Sequence, residues 1–523
     1  MNGFRLICRM LVFAMTIGLA AGAWAEGIFP VNDPGTGNWV YDQPSVTSYG
    51  NFIHLAFVGD SAAGAGASPN TRLYYAAVDA GADYFNKATT RAQVLITPPV
   101  AIENSLFNQA RHPQILIRSD TELAILFQAI PSDNPAAGSK LFLALLTIGN
   151  NSVTSQRVTE VRDAAGARIP GNLTDPSFAL PTTGGTLTAA YSSFPSLVAG
   201  SPYSDVYYAR VGLDNAQVIN TPILLTSTVS STGVLALPRI LLDGNNYSHI
   251  VWAANNDDPT NSTPTGIYYA WVYPMPPSVA DNLAIGATQV LWGGYRWGFP
   301  NVLFSTKGNI WILAADDSSG SNGLAGSVGI SEVAPYNVTP DGNPVNISNT
   351  ESNTEFFINP PGGTVLPSNF DVYHPEAILD LQNRLNVAGY GFRYPDGHGT
   401  PGRYYVTAYG SSSPGTSVAP VSVGTGDIAF ATQLPGDYTR PAFVHYSGKA
   451  MQFWSGPDNV VTGARNLYVT SVYSSSDPSN QSGCSVVGDP RRGEAGRIPG
   501  TAVLLLPAVL LALRRATRKA FGR

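Results

Sequence analysis

The sequence has 523 residues, of which 12% are charged, and 53 glycines and 40 prolines interrupt it throughout. Frequent turn residues, together with 25 tyrosines and 21 phenylalanines, favour many short strands over helices, and a hydrophobic content of 44% argues against disorder. A net charge of −6 argues against a nucleic-acid surface, and the two cysteines, Cys8 and Cys484, provide neither a disulfide framework nor a cysteine-based zinc site for the folded body.

The first segment of the chain, residues 1–25, has the pattern of a secretory signal peptide. Arg5 and Arg9 give it a charged start, an apolar run covers residues 10–21, and small residues precede a cleavage point after Ala25. A retained anchor helix is the alternative, but the apolar run is short for crossing a bilayer. We therefore expect an exported protein.

A repeated unit fills the chain from residue 26 to residue 482. Every copy has a proline followed by a short apolar run, and an aromatic pair such as Tyr268-Tyr269, or a weaker version of it, stands 26 to 31 residues further on. The prolines recur every 62 to 75 residues, at Pro44, Pro113, Pro176, Pro238, Pro300, Pro375 and Pro441. The longest interval holds an insertion, at about residues 341–370, to which no role is assigned. Two landmarks in constant phase over seven copies indicate a true internal repeat.

Each copy of the repeat predicts four strands. The apolar run after the proline gives the first, a Gly/Asn turn such as Gly244-Asn245 leads to the second, the aromatic pair lies in the third, and a Val/Ile/Thr-rich stretch gives the fourth. Proline is acceptable at the start of a strand, where its missing N–H costs no ladder bond. The predicted fold is all-β: a single seven-bladed β-propeller of four-stranded blades, in which the radial arrangement protects the sheet edges. The last copy lacks a fourth strand, and we expect residues 38–41 to supply it and close the ring.

The residues directly before the seven prolines, here called the pre-proline ring, are expected to lie at one mouth of the central channel. They are Gln43, His112, Asp175, Leu237, Phe299, His374 and Arg440. Imidazole, carboxylate and guanidinium groups can together bind a carboxylate or a hydroxyl-rich group, such as a small polar ligand or a sugar. The candidate ligand-binding residues are therefore His112, Asp175, His374 and Arg440. The alternative is that these side chains only stabilise local turns.

No catalytic residue, metal site or cofactor is predicted. His112, Asp175 and His374 are acceptable metal ligands, but they belong to separate copies of the repeat. Clusters of Asp and Asn match no calcium-loop spacing, so calcium is kept only as an alternative. His54 and His249 stand mid-strand beside aromatic positions and are expected to be hydrogen-bonded core residues.

The end of the chain, residues 483–523, has the features of a membrane-directed tail. Gly483-Cys484-Ser485 precedes an apolar run over residues 498–513, and four basic residues follow at once. This order resembles the bacterial C-terminal sorting signals of the JDVT-CTERM and MYXO-CTERM families. The resemblance implies a C-terminal hydrophobic helix, processing near Cys484 by a sorting protease, and delivery to the cell surface. A plain C-terminal membrane anchor is the alternative, and either one predicts a protein held at the cell envelope.

The order of proline, apolar strand, Gly/Asn turn, Trp-ended strand and Tyr-Tyr-Ala resembles the sialidase-like propellers with BNR repeats. The resemblance covers all seven copies and implies an exo-glycosidase or lyase with its site at the channel mouth. The Asp box of that family, Ser-x-Asp-x-Gly-x-Thr-Trp, has its nearest approach at residues 78–84 and is otherwise absent. Since no catalytic motif occurs either, we expect a non-catalytic module that binds a carbohydrate or a protein. The alternative is the sialidase-like exo-glycosidase or lyase.

Overall fold

Short antiparallel strands make up nearly all the regular structure that the computed structural model describes, as the turn-rich composition predicts. The described residues are 29–32, 39–61, 71–84, 89–103, 105–149, 152–181, 184–194, 204–228, 237–254, 266–274, 281–292, 297–304, 310–316, 328–333, 356–358, 370–379, 385–393, 400–408, 442–446, 449–457 and 464–473. The predicted signal peptide with Ala25 and the predicted sorting segment with Cys484 lie outside them. No helix in these ranges has the length and the apolar character that crossing a bilayer requires.

The strands fall into groups that follow the copies of the repeat. The first group is β1 (Phe29–Pro30), β2 (Trp39–Tyr49), β3 (Phe52–Ser61), β4 (Arg72–Asp79), the helical turn α1 (Arg91–Val94) and β5 (Leu95–Ala101). The second is β6 (Phe107–Ser119), β7 (Glu122–Pro131), β8 (Lys140–Gly149) and β9 (Ser152–Glu160), and the third is β10 (Asn172–Ala179), β11 (Thr186–Phe194), β12 (Asp205–Gly212) and β13 (Ile223–Leu224). The fourth is β14 (Arg239–Leu242), β15 (Ser248–Ala254), β16 (Gly266–Tyr273) and β17 (Asn282–Trp292).

Three further groups complete the described strands. They are β18 (Trp297–Phe304), β19 (Ile310–Asp316), β20 (Val328–Val333) and β21 (Phe356–Ile358), then β22 (Phe370–Leu379), β23 (Leu385–Arg393) and β24 (Thr400–Ala408), and finally β25 (Ala442–Tyr446), β26 (Lys449–Pro457) and β27 (Arg465–Tyr473). Short 3-10 helices occur at Pro135–Ala137 and Leu225–Thr228. The strand β21 lies inside the predicted insertion at residues 341–370 and pairs with β20, so part of that insertion is the outer strand of its sheet.

Among the described strands, five of the six sheets are built from strands that follow one another in the chain. Four sheets have four strands in the orders β6 to β9, β10 to β13, β14 to β17 and β18 to β21, and a three-stranded sheet contains β22 to β24. The sixth sheet joins both ends of the chain, in the order β25-β26-β27-β2-β3-β4-β5, with β1 paired to β27. Successive small antiparallel sheets of this kind are the architecture of a β-propeller.

The aromatic pairs of the repeat hold neighbouring sheets together. Because side chains alternate between the two faces of a strand, Tyr74 packs into a core shared with the sheet of β25 to β27, whereas Tyr75 packs into one shared with β6 to β8. Tyr268 and Tyr269 divide in the same way, towards the third and the fifth group. The repeat signature is therefore primarily a packing signature.

The expected role of residues 38–41 in joining the chain ends is wrong. Trp39 pairs with Ser61, so this segment begins the first strand β2 of its own group and touches β27 at a single parallel bridge. The added strand of the last group is β1, which pairs antiparallel with β27. The N–H of Val31 extends this pairing by donating to the carbonyl of Leu467 at 2.7 Å. Residues 39–41 therefore pair mainly with β3, and the bridge from Val40 to Arg465 is their one ladder contact with β27 among the described pairings.

Candidate functional site

Five of the repeat prolines lie inside their first strands rather than at the strand starts, which corrects the prediction from the sequence, whereas Pro238 directly precedes β14 as predicted. In β2 the register shifts between Asp42 and Ser45, so that one extra residue is accommodated around Pro44. The same shift surrounds the proline in four more first strands, β6, β10, β18 and β22. A β-bulge leaves its extra residue unpaired, which provides another position where the missing N–H of proline costs no ladder bond.

The residue before the proline adopts a left-handed backbone in the first four groups. The φ angles are 52° at Gln43, 47° at His112, 50° at Asp175 and 43° at Leu237. This region is unfavourable for a non-glycine residue, and a following proline normally drives its neighbour towards extended conformations. Each such residue costs on the order of 1–3 kcal/mol and persists only where surrounding contacts enforce it. Backbone strain of this kind is concentrated at functional sites.

Hydrogen bonds between successive groups enforce this geometry. The N–H of His112 donates to Oε1 of Gln43 at 2.7 Å, and the N–H of Asp175 donates to Oε1 of Gln128 at 2.7 Å. Two residues after the prolines of the second, third and fourth groups, the N–H groups donate to a side chain of the preceding group, for example Ile115 to Oγ of Ser45 at 3.1 Å. Equivalent bonds join Phe178 to Gln114 at 2.8 Å and Ile240 to Ser177 at 3.2 Å. The first strands of neighbouring sheets therefore adjoin one another and line the axis.

Two members of the pre-proline ring meet directly. Nδ1 of His112 lies 2.6 Å from Oδ1 of Asp175, and both atoms are shielded from solvent. The Asp175 side chain is 6% exposed and the imidazole 39% exposed. A buried carboxylate thus stands behind an imidazole whose remaining surface is open.

The electrostatic surroundings keep Asp175 ionised. Burial alone would raise the pKa of its carboxyl, but the charge and the hydrogen bond of His112, the hydroxyl of Thr174 and the charge of Arg239 outweigh burial, so the pKa lies below its usual value. Arg239 directly follows the proline of the next group, and nothing in the sequence places it beside Asp175. Gln128 was also missed, because its role depends on the register between neighbouring sheets.

The other two predicted ligand-binding residues are not brought into this pair by the described contacts. His374 lies in the bulge of β22, between Tyr373 and Glu376, and its backbone alone is described. Arg440 lies outside the described residues. That the four residues bind a ligand stays a prediction. Within the described residues, no three His, Cys, Asp or Glu side chains form a group that could hold a metal ion.

Two further histidines belong to the core. Nδ1 of His54 lies 2.8 Å from the hydroxyl of Tyr75, and Nδ1 of His249 lies 2.7 Å from that of Tyr269. Both imidazoles stack on their tyrosine rings at 6.0 Å. They are hydrogen-bonded core residues, as their positions in the repeat predict.

Comparison with solved structures finds glycoside hydrolases. A thermostable family-43 glycoside hydrolase is 12% identical, with a TM-score of 0.32 over 58% of this chain and 93% of that chain. An endo-arabinase from Bacteroides thetaiotaomicron is 11% identical, with a TM-score of 0.31 over 60% and 99%. An α-L-arabinofuranosidase from Lactobacillus brevis is 12% identical, with a TM-score of 0.31 over 64% and 98%. No protein-family model matches the sequence, and neither does any curated protein.

The expectation of a non-catalytic binding module, with its preference against an enzyme, is contradicted by this comparison. The structures to which the chain is similar are enzymes by name, and they include a glycoside hydrolase, an arabinase and an arabinofuranosidase. The lack of a linear catalytic motif is a poor guide here, because a site on a ring of sheets is assembled from side chains far apart in sequence. His112 and Asp175 illustrate this, since 63 residues separate two side chains that touch.

Proposed function

We propose that this protein is a carbohydrate-cleaving enzyme with its site at the pre-proline ring, on the axis of a seven-bladed propeller. The observation that carries the proposal is the contact between His112 and Asp175, held by left-handed backbone at both residues. This is the glycosidase or lyase alternative implied by the likeness to sialidase-like repeats. Seven prolines in phase and seven successive groups of strands support the blade count.

The proposed chemistry is general acid–base catalysis by the imidazole. The carboxylate of Asp175 lies against Nδ1 of His112 and fixes the orientation of the ring, which leaves Nε2 to exchange a proton with a substrate. A positioned acid–base group of this kind accelerates a reaction about 100- to 10,000-fold. Burial of the carboxylate strengthens its effect on the ring, because little water screens the pair.

The test is an assay of the purified full-length protein for new reducing ends on a panel of polysaccharides and glycosides. We expect cleavage of at least one substrate and a loss of at least about 100-fold in His112→Ala. Asp214→Asn is the control, because that carboxylate is 82% exposed and its ion-pair partner, at 3.7 Å, is Arg118. Full activity in His112→Ala, or no new reducing end from any substrate, would refute the proposal.

We also propose that the enzyme is exported by its N-terminal segment and is held at the cell envelope, at least transiently, through its C-terminal segment. The sequence patterns around Ala25 and Cys484 support this location. Intact mass of the protein from its native host, compared with Cys484→Ala, distinguishes the two kinds of tail. A mature protein that spans Glu26 to near Cys484, and that is absent in the variant, supports sorting. A mature protein that still contains Leu513 supports a plain anchor.

A further inference from the structure

The exposure of the His112–Asp175 pair decides which group meets a substrate. The imidazole is 39% exposed and the carboxylate is 6% exposed, and the contact between them occupies Nδ1. A substrate on the axis therefore meets Nε2 of an imidazole with a carboxylate behind it. Asp175 acts only through His112.

This arrangement suits the removal of a proton from carbon. Histidine is the side chain that most often acts as a general base in enzymes, whereas glycoside hydrolysis usually depends on two carboxyl groups that themselves flank the scissile bond. A sugar C–H becomes acidic enough for such a base only beside a carboxylate, as at C5 of a hexuronate. The geometry thus favours an acidic sugar.

A positive charge near the pair fits a carboxylate-bearing ligand. Arg239 lies in the fourth group, directly after the group of Asp175, and its positive charge stabilises the Asp175 carboxylate. Guanidinium groups bind carboxylates in a planar, two-point geometry, and neutralising a uronate carboxylate makes its C5 proton more acidic.

Building on the proposed function, we infer that the substrate is a uronate-containing polysaccharide and that the reaction is β-elimination. Nε2 of His112 takes the C5 proton, the C–H electron pair forms a C4=C5 double bond, and the C4–O bond of the glycosidic linkage breaks. The departing oxygen then takes the proton from the imidazolium, which regenerates the neutral imidazole. No water or other co-reactant is consumed, and the products are a new reducing end and an unsaturated uronate. Asp175 is a positioning residue.

Two assays run in parallel on the full-length protein separate this inference from the proposed function. New reducing ends report any cleavage, whereas ultraviolet absorbance of the C4=C5 double bond conjugated to the carboxylate reports elimination alone. The substrates are polygalacturonate, alginate and a carboxyl-reduced polygalacturonate. We expect both signals in equal amounts on at least one uronate polymer, and neither signal on the carboxyl-reduced polymer.

Two variants test the residues. In His112→Gly the imidazole is lost at a backbone position that glycine adopts without strain, since φ is 47°. We expect elimination to fall at least about 100-fold and to recover in part with added imidazole. Asp175→Asn should lower kcat about 100-fold and leave KM nearly unchanged, because the carboxylate touches the base and not the substrate.

The outcomes are distinct. Reducing ends without the ultraviolet signal would overturn elimination and leave the carbohydrate-cleaving function standing. No cleavage of any uronate polymer, with cleavage of a neutral one, would overturn the substrate class. No reducing ends from any polymer would overturn the proposed function and this inference together. Unchanged kcat in both variants would remove His112 and Asp175 from the reaction.

Discussion

Histidines in this fold have two different fates, which their surroundings decide. His112 sits at a strained bulge with its imidazole partly open, whereas His54 and His249 lie in the second strands of their groups and are nearly inaccessible. Each buried imidazole is hydrogen-bonded through Nδ1 to a tyrosine hydroxyl and stacks on the ring of the same tyrosine. Burial lowers the pKa of His54 to about 4 and also lowers the pKa of His249.

This difference predicts an acid-sensitive core. Between about pH 6.5 and pH 4 an unfolded imidazole binds a proton while folded His54 stays neutral, so the unfolded state takes up more protons and stability falls as the pH drops. The loss reaches on the order of 3 kcal/mol for His54 at the acid end of that window. His54→Gln, which keeps an acceptor for Tyr75, should flatten the dependence of the unfolding free energy on pH, measured by denaturant titration. A curve parallel to that of the unsubstituted protein would contradict the assignment.

The short strand β1 is one of the contacts that join the two ends of the described chain. Phe29 of β1 packs edge-on against Tyr84 at 5.7 Å. Nε of Arg91 in α1 donates to the carbonyl of Pro30 at 2.8 Å, and Nη2 donates to that of Val31 at 2.7 Å. One guanidinium thus satisfies two carbonyls of the segment that β27 pairs with on its other side.

Arg91→Ala should therefore loosen the outer edge of β27 before the rest of the molecule. Two charge-assisted hydrogen bonds are worth about 1.5–3 kcal/mol each, part of which water recovers. We expect faster amide hydrogen exchange in β1 and β27, with little change in β7 or β8. Arg118→Ala is a suitable control, because that side chain forms only longer ion-pair contacts of 3.4 and 3.7 Å. If exchange becomes faster throughout the molecule, or if it does not change in β1 and β27, then Arg91 does not hold this strand.

How far the sequence predicts these elements depends on the range of the interaction. Strand order, Gly/Asn turns and the buried aromatic pairs follow from local patterns, and the structure has them where the repeat predicts. The bulges were missed because a proline indicates only a position whose N–H makes no hydrogen bond to the neighbouring strand. The start of a strand and a bulge both provide such a position. The His112–Asp175 contact required the register between two sheets, although the pre-proline positions were singled out. The strand β1 has two residues, too few for any periodic pattern.

At the scale of the whole molecule, adjacent sheets are joined by polar contacts as well as by the aromatic cores. Nη2 of Arg210 in β12 lies 2.7 Å from Oδ1 of Asp281, just before β17, and the two side chains are 10% and 0% exposed. Nδ2 of Asn220 donates to the other carboxylate oxygen at 3.0 Å, and the N–H of Arg210 donates to Oδ1 of Asn220 at 2.8 Å. The third and fourth groups therefore share a buried ion pair with its own hydrogen bonds.

Asp281→Leu should be one of the more damaging single substitutions in the described part of the chain. It leaves the Arg210 guanidinium buried without its counter-charge, which costs about 3–5 kcal/mol, whereas replacing both partners by apolar residues is often nearly neutral. The double variant Arg210→Met/Asp281→Leu should therefore recover most of the lost unfolding free energy.

Asp133→Ala is the matched control, since Asp133 also pairs with an arginine at 2.8 Å but is 71% exposed, and we expect a loss below about 1 kcal/mol. The measurement is the denaturant midpoint and slope of all three variants. If the double variant is as unstable as Asp281→Leu, the pair is not what couples the two sheets, and their cohesion must come from the shared cores around Tyr208 and Tyr268.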